Sequence, residues 1–267
     1  MLEVILSNFL LQAFFSIGLV IIAGILIGLI NRGVYHFLGE SGRSIAIVTG
    51  IVGTPIHELG HAIMCIIFGH KITDISLFSP DSTTGVLGYV NHSYNKKNLY
   101  HQIGNFFIGI GPIISCGIAM SLIMYLAVPS IYYSVISAIN NNTYTLSGAV
   151  DAINQSLNLI LFNSSNLKDF NWWIFIILNF SIALHMAISV PDIRCSAKGL
   201  LFILGALLAL DIVVGIISIH TLNAITDIIL SLSYFLIALL ALSLLMSLIM
   251  LCIAFIFKKG KKLIIKY

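Results

Sequence analysis

The residues His57-Glu58-Leu59-Gly60-His61 combine two imidazoles four positions apart with a carboxylate directly after the first. On a helix, positions i and i+4 share a face, so both imidazoles can turn toward one divalent cation while Glu58 flanks it as a general base. That is the arrangement of zinc-assisted hydrolysis. The motif lies inside an apolar run from Ile45 to Gly69, long enough to cross a membrane. Ionisable groups at bilayer depth cost roughly 2.5–3.5 kcal/mol each, so three within five residues need a compensating partner, and a cation with its bound water is the natural one. A chance match or a structural histidine pair is the plain alternative, and it is the weaker one in a chain with only 3 Glu and 8 His.

The elements that must carry these residues follow from composition. With 59 % hydrophobic and 9 % charged residues and a mean hydropathy of +1.06, the 267 residues cannot keep a soluble surface. The expected fold class is an all-α polytopic membrane protein, one domain over 1–267, with about six transmembrane helices near 9–30, 45–69, 103–128, 171–191, 199–219 and 228–257. Glu3 is the only charge before Asn31, so the first span reads as a retained helix and not as a signal peptide. Placing both termini in the cytoplasm puts ten Lys and Arg inside, including the tail Lys258, Lys259, Lys261, Lys262 and Lys266, against Arg32, Arg43 and Lys168 outside. The basic tail then reads as an inner-leaflet anchor and not as a nucleic-acid site. No disulfides are expected among Cys65, Cys116, Cys195 and Cys252, which fall in spans or on the reducing side.

Between the second and third spans the periodicity changes to alternation, Ile72 to Phe78 and Val86 to Val90 around a Pro80-Asp81/Gly85 turn. A short cytoplasmic-side β-hairpin over about 72–90 fits. It could be an ordinary surface hairpin; following directly on the HExxH helix, it could instead offer an open edge to an extended peptide, with Val86, Leu87 and Gly88 as candidate substrate-binding residues. Residues 149–161 alternate at helical spacing, as in a helix on the outer leaflet, and Trp172 and Trp173 read as interface anchors. Gly24, Gly28, Gly109, Gly111 and Gly117 would let helices approach closely.

Two histidines leave a catalytic zinc one protein ligand short. The candidate third ligand is Asp192, freed to turn inward by a helix break at Pro191; the alternative is an interface carboxylate paired with Arg194 or Lys198. His185, deeper in the same span, could be a ligand, a bundle histidine or a donor to the transition state, and is read as the donor.

Three segments together resemble the site-2 protease family of intramembrane metalloproteases. They are His57-Glu58-Leu59-Gly60-His61; Asn105-Phe-Phe-Ile-Gly109-Ile-Gly111-Pro112-Ile-Ile-Ser115, similar to the family's Phe-x-x-Ala-Gly-Pro-x-x-Asn helix; and Asp192 after a Pro-bearing span. The resemblance covers roughly 45–200 and implies a three-helix catalytic core, Zn²⁺ on two His and one Asp, here His57, His61 and Asp192, and peptide-bond cleavage near the cytoplasmic side, with Glu58 as the general base and single-span membrane proteins or peptides as the substrates. Membrane lipids are the other implied partner, no nucleic acid is expected, and the implied location is a bacterial cell membrane. The sequence departs from the family at Ser115, which stands in place of Asn, and around Asp192, which lacks the Asn-x-x-Pro lead-in and the following Gly. No PDZ-like or CBS-like segment is read. The rival readings are a divalent-metal transporter, which would need a polar path across the bilayer where only Asp211 lies deep in a span away from the motif, a di-iron oxidase, which needs more histidines, and a non-proteolytic relative that binds membrane proteins.

Overall fold

The computed structural model describes residues 1–81, 85–143 and 145–264. An apolar rod of Leu2–Gln12 (α1), a π-helical stretch Ala13–Gly18 and Leu19–Leu38 (α2) turns at Gly39 into Glu40–Ile67 (α3). Gly39 makes this turn in one residue because its φ of 56° is open to glycine at little cost. Strands Lys71–Ser76 (β1) and Tyr89–Ser93 (β2) follow, then Leu99–Ala127 (α4), Pro129–Asn140 (α5), Leu146–Leu157 (α6), Phe170–His185 (α7), Val190–Ile217 (α8) and Ile219–Ile264 (α9). Among the described residues five helices are long and apolar enough to cross a membrane, and α7 is apolar but shorter. The fold is thus mostly helical with one small antiparallel sheet, the pattern of an integral membrane protein.

Glycines set how closely the site-bearing helices approach. A Cβ on Gly60 would stand 2.5 Å from the Gly111 carbonyl oxygen and one on Gly111 would stand 2.6 Å from that of Gly60, so α3 and α4 touch backbone to backbone. Two residues earlier, Gly109 turns to the other neighbour and meets the Asp192 carbonyl and Ser196 of α8, while Gly199 meets Phe106 and Gln102. Helix α4 is therefore a wedge between α3 and α8. Gly24 and Gly28 seat α2 on Ile188 and Ala187. Trp172 departs from the expected interface role: it is 5 % exposed, with its indole N–H donating to the Ile160 carbonyl, whereas Trp173 is exposed as an anchor should be. Helix α6 likewise buries Ala149, Ala152 and Ser156 and packs on α9, so the expected outer-leaflet helix has a protein partner.

Beside the about six spans expected, the described residues give five long apolar helices and the shorter α7. Met120 and Met186 share the Ser243 hydroxyl, Asp192 and Ser196 sit at Gly109, and Gly199 sits at Gln102 and Phe106. These contacts run antiparallel along α4, so α7 and the first turns of α8 follow it in one direction, as one pass interrupted at 186–189. Hydropathy measures apolar length and is blind to such a break. The first and last helices accordingly run parallel: Asn8 bonds Asn223, Gln12 bonds Thr226, Phe15 packs on Tyr234, Gly33 faces Leu251 and Phe37 packs on Phe255. If each rod crosses a membrane once, parallel rods carry the two termini to opposite faces, against the expectation of both inside. The charge count of ten against three includes five tail lysines; with these on the other side it would be five against eight. A tag at Met1 and one after Tyr267 are expected to be reached by impermeant labels from opposite faces of intact cells; labelling of both from one face would restore the even count.

The hairpin forms, shifted by register. Lys71 pairs with Ser93, Ile75 with Val90 and Ser76 with Tyr89, with a bulge between Ile72 and Asp74. The second strand thus begins at Tyr89, three residues later than expected, and Val86, Leu87 and Gly88 form an arm that precedes it. The Ser79 and Asp81 N–H groups donate to the Leu87 and Val86 carbonyls, which continues the pairing irregularly toward the turn. Ser82, Thr83 and Thr84 of the expected turn lie outside the described residues.

Candidate metal centre

Helix α3 carries His57, Glu58 and His61, and Pro55 stands two residues before the first of them. The Ser115 hydroxyl of α4 donates to the Ile56 carbonyl at 2.8 Å, so the position where the resembled family has Asn ties α4 to the backbone just ahead of His57. His57 Nδ1 lies 2.7 Å from the His185 carbonyl and His61 Nδ1 lies 2.8 Å from that of Ile108. A carbonyl only accepts, so both rings carry hydrogen on Nδ1 and leave the Nε2 lone pair free, the tautomer a metal ligand requires. The His185 carbonyl is available because it belongs to the last turn of α7, whose carbonyls have no helical partner. Its neighbours Ala183 and Leu184 are satisfied by the Asn31 amide of α2.

Asp192 reaches the site from the first turn of α8. The helix break comes at 186–189, and Pro191 starts the next helix, where its missing N–H is harmless. Ser189 and Asp192 form a capping box: the Ser189 N–H donates to Oδ2 at 2.9 Å and the Asp192 N–H donates to the Ser189 hydroxyl at 3.3 Å. Oδ1 is left to face His61 Nε2 at 3.3 Å. Ligand atoms of His57, His61 and Asp192 all lie within 4.8 Å of one another. Bonds of about 2.0–2.1 Å in a tetrahedron put ligand atoms about 3.3 Å apart, so the His61–Asp192 edge already has that length. The three residues could hold a metal ion. Among the described residues no cysteine joins them: Cys65 is fully buried, and the Cys195 thiol faces the Asn105 amide oxygen at 3.6 Å.

Two cavities of about 730 and 430 Å³ meet at this group, with His57, Glu58, Val86 and Gly88 lining both and Leu87 lining the larger. The smaller is walled by β2 on one side and by Ser189, Asp192 and Cys195 on the other. Glu58 is 7 % exposed and stands outside the ligand group, beside its first histidine. The arm crosses it closely: a Cβ on Gly88 would meet Glu58 Cγ at 2.9 Å and the Leu77 carbonyl oxygen at 2.8 Å. Gly88→Val is therefore expected to displace the Glu58 side chain and to lower any Glu58-dependent turnover by at least tenfold while metal content is kept. Equal turnover in the two proteins would mean that the arm yields freely.

His185 is placed differently from the expected donor. Its Nε2 lies 3.0 Å from the Thr49 hydroxyl, whose own hydrogen goes to the Ile45 carbonyl, so Nε2 donates and Nδ1 accepts from Thr54 at 3.3 Å. Both ring nitrogens are engaged on α3, and it is the backbone carbonyl of His185 that touches the metal group, through His57. His92, not singled out from the sequence, lines the smaller cavity; the antiparallel alternation of the hairpin was the available signal. No family model, curated protein or solved structure matches the chain.

Proposed function

We propose that the protein is an intramembrane zinc metalloprotease that hydrolyses peptide bonds of single-span membrane proteins or peptides. The observation that carries this reading is the pair of free Nε2 lone pairs on His57 and His61, set by Nδ1 donation to two carbonyls, converging with Asp192 beside Glu58. Two imidazoles and one carboxylate suit zinc better than magnesium or calcium, which prefer oxygen. The resembled family assigns the same roles to these positions, with α3, α4 and the α7–α8 pass as the catalytic core.

When bound, zinc supplies a Lewis acid that polarises the scissile carbonyl and acidifies water. Glu58 takes the proton of the attacking water as the C–O bond forms and delivers it to the leaving nitrogen as the C–N bond breaks, so one water is consumed per bond. Leu59 to His61 and the Gly60–Gly111 contact keep Glu58 in register with the histidines. A helix hides its carbonyls, so the substrate must unwind locally; the cavity of about 430 Å³ between the 86–88 arm, β2 and the start of α8 is the place for an extended segment.

The transporter reading fares worse on one observation. Asp211, the other deep carboxyl, is fully buried and accepts from Gln12 of α1, whose amide also donates to Thr226 of α9. It lies 19 positions, about 28 Å, along α8 from Asp192, a helix-pairing group apart from any path leading out of the metal centre. The test is metal analysis of the purified protein beside His57→Ala, with a cleavage assay on single-span substrates. One zinc per wild-type chain, lost in His57→Ala together with cleavage, is expected; zinc without cleavage would favour the non-proteolytic binding reading.

A further inference from the structure

Three histidines outside the metal group form a chain at the base of the hairpin. His70 follows α3, His92 lies on β2 and His101 opens α4. His70 Nε2 lies 2.9 Å from the His101 carbonyl and must donate to it, so its Nδ1 has no hydrogen and can only accept. The partner at 3.0 Å is Nδ1 of His92, which therefore carries the hydrogen. In the neutral ring this leaves His92 Nε2 as a bare lone pair. The supports are themselves held: Tyr94 stacks on His70 at 4.7 Å and 16°, and His101 Nδ1 accepts from the Asn95 N–H at 3.1 Å.

The His92 imidazole lines the cavity of about 430 Å³ that also contains Glu58, His61 and Asp192. Burial first, then His70, His61 and Lys198, push its pKa down to about 4, so the ring stays neutral at ordinary pH. A second metal is not what the lone pair awaits, since among the described residues only His57, His61 and Asp192 gather as a ligand group. An extended peptide whose carbonyl is turned to the metal centre presents its neighbouring main-chain N–H groups along the same cleft, and these need acceptors when water is displaced.

We propose that His92 is a substrate-binding residue whose Nε2 accepts a hydrogen bond from a main-chain N–H of the bound peptide, with His70 as the positioning residue that fixes its tautomer. This rests on the peptidase reading for the nature of the ligand, and its test reads binding, so the two can fail separately. The probe is a synthetic single-span Leu/Ala peptide with a central Gly-Ser-Gly segment, in detergent micelles, N-methylated at one central residue at a time. Binding is measured to the zinc-loaded Glu58→Gln protein, which leaves the peptide whole. N-methylation at one position is expected to weaken binding roughly two- to tenfold, the effect of one lost hydrogen bond. The same N-methyl group should cost nothing in Glu58→Gln/His92→Ala, while His92→Gln, which keeps an acceptor oxygen, should recover part of the sensitivity. His70→Phe should blunt it with zinc content unchanged. The proposal is overturned if N-methylation costs all these proteins equally, if His92→Ala binds the parent peptide as tightly, or if none of them binds it. Binding of the parent peptide by the wild type without cleavage would remove the peptidase reading and leave the His92 contact standing.

Discussion

Glu58→Gln is expected to keep zinc and lose hydrolysis by roughly 10²–10⁴-fold, the range that a positioned general base contributes. The amide matches the carboxylate in size, so it fits the same space beside the 86–88 arm, and the ligand group does not include Glu58. What the amide cannot do is take a proton from water. Zinc content and cleavage rate, measured on the same preparation, separate the two effects. Activity within a few-fold of wild type would exclude Glu58 as the base.

Asp192→Ala should behave in the opposite way, with metal and activity falling together. It removes a negative ligand and leaves His57 and His61 alone with the cation, so the loss of zinc affinity should exceed the roughly 10–100-fold that outer partners of a metal site usually cost. Helix α8 keeps one of its two capping-box bonds, since the Ser189 N–H loses its acceptor while the Ser189 hydroxyl still accepts from the residue-192 N–H. Competition with a chelating dye gives the affinity directly. His185→Ala is the control: its backbone carbonyl remains to hold the His57 tautomer, so zinc should stay bound, and the cost should appear as lower thermal stability from the abandoned Thr49 and Thr54 hydroxyls. Zinc lost in His185→Ala and kept in Asp192→Ala would reverse the assignment.

The candidate ligand group was more legible in the sequence than the course of the helices. His57, Glu58 and His61 are local to one helix turn, and spacing alone puts them on one face. Asp192 could be reached because Pro191 marks a helix start, although the capping box with Ser189, and not a kink, is what aims it. The role of His185 was beyond reach, since it depends on which way a ring turns between Thr49 and Thr54 and on a carbonyl freed at a helix end. The helix ends were less legible for a physical reason: the expected spans 171–191 and 199–219 divide at the polar stretch 192–198, whereas the helices break at 186–189, inside an apolar run that hydropathy reads as continuous. The hairpin was visible in its alternation, but a bulge at Thr73 shifts pairing by a residue at its base, and toward the turn the pairing of Val86 and Leu87 with Asp81 and Ser79 is irregular, so the strand begins only at Tyr89. Those three residues nonetheless stand at the cleft, on the arm and not in the sheet.

The order of these helices in the chain also sets a schedule. The contact between Gly60 and Gly111, and with it the bond from His61 to the Ile108 carbonyl, can form as soon as α3 and α4 have entered the bilayer. Asp192 and the His185 carbonyl belong to a segment synthesised afterwards, and at roughly 5–20 residues per second the stretch from His61 to Asp192 takes about 7 to 26 s to make. During that interval the nascent protein holds one histidine already fixed in its ligand tautomer, another still without its carbonyl, and no carboxylate ligand. On the proposed reading a chain that lacks its third ligand does not cut, so a ribosome still at work on this message would be attached to an inert product, and competence would arrive only with the segment that begins at α7.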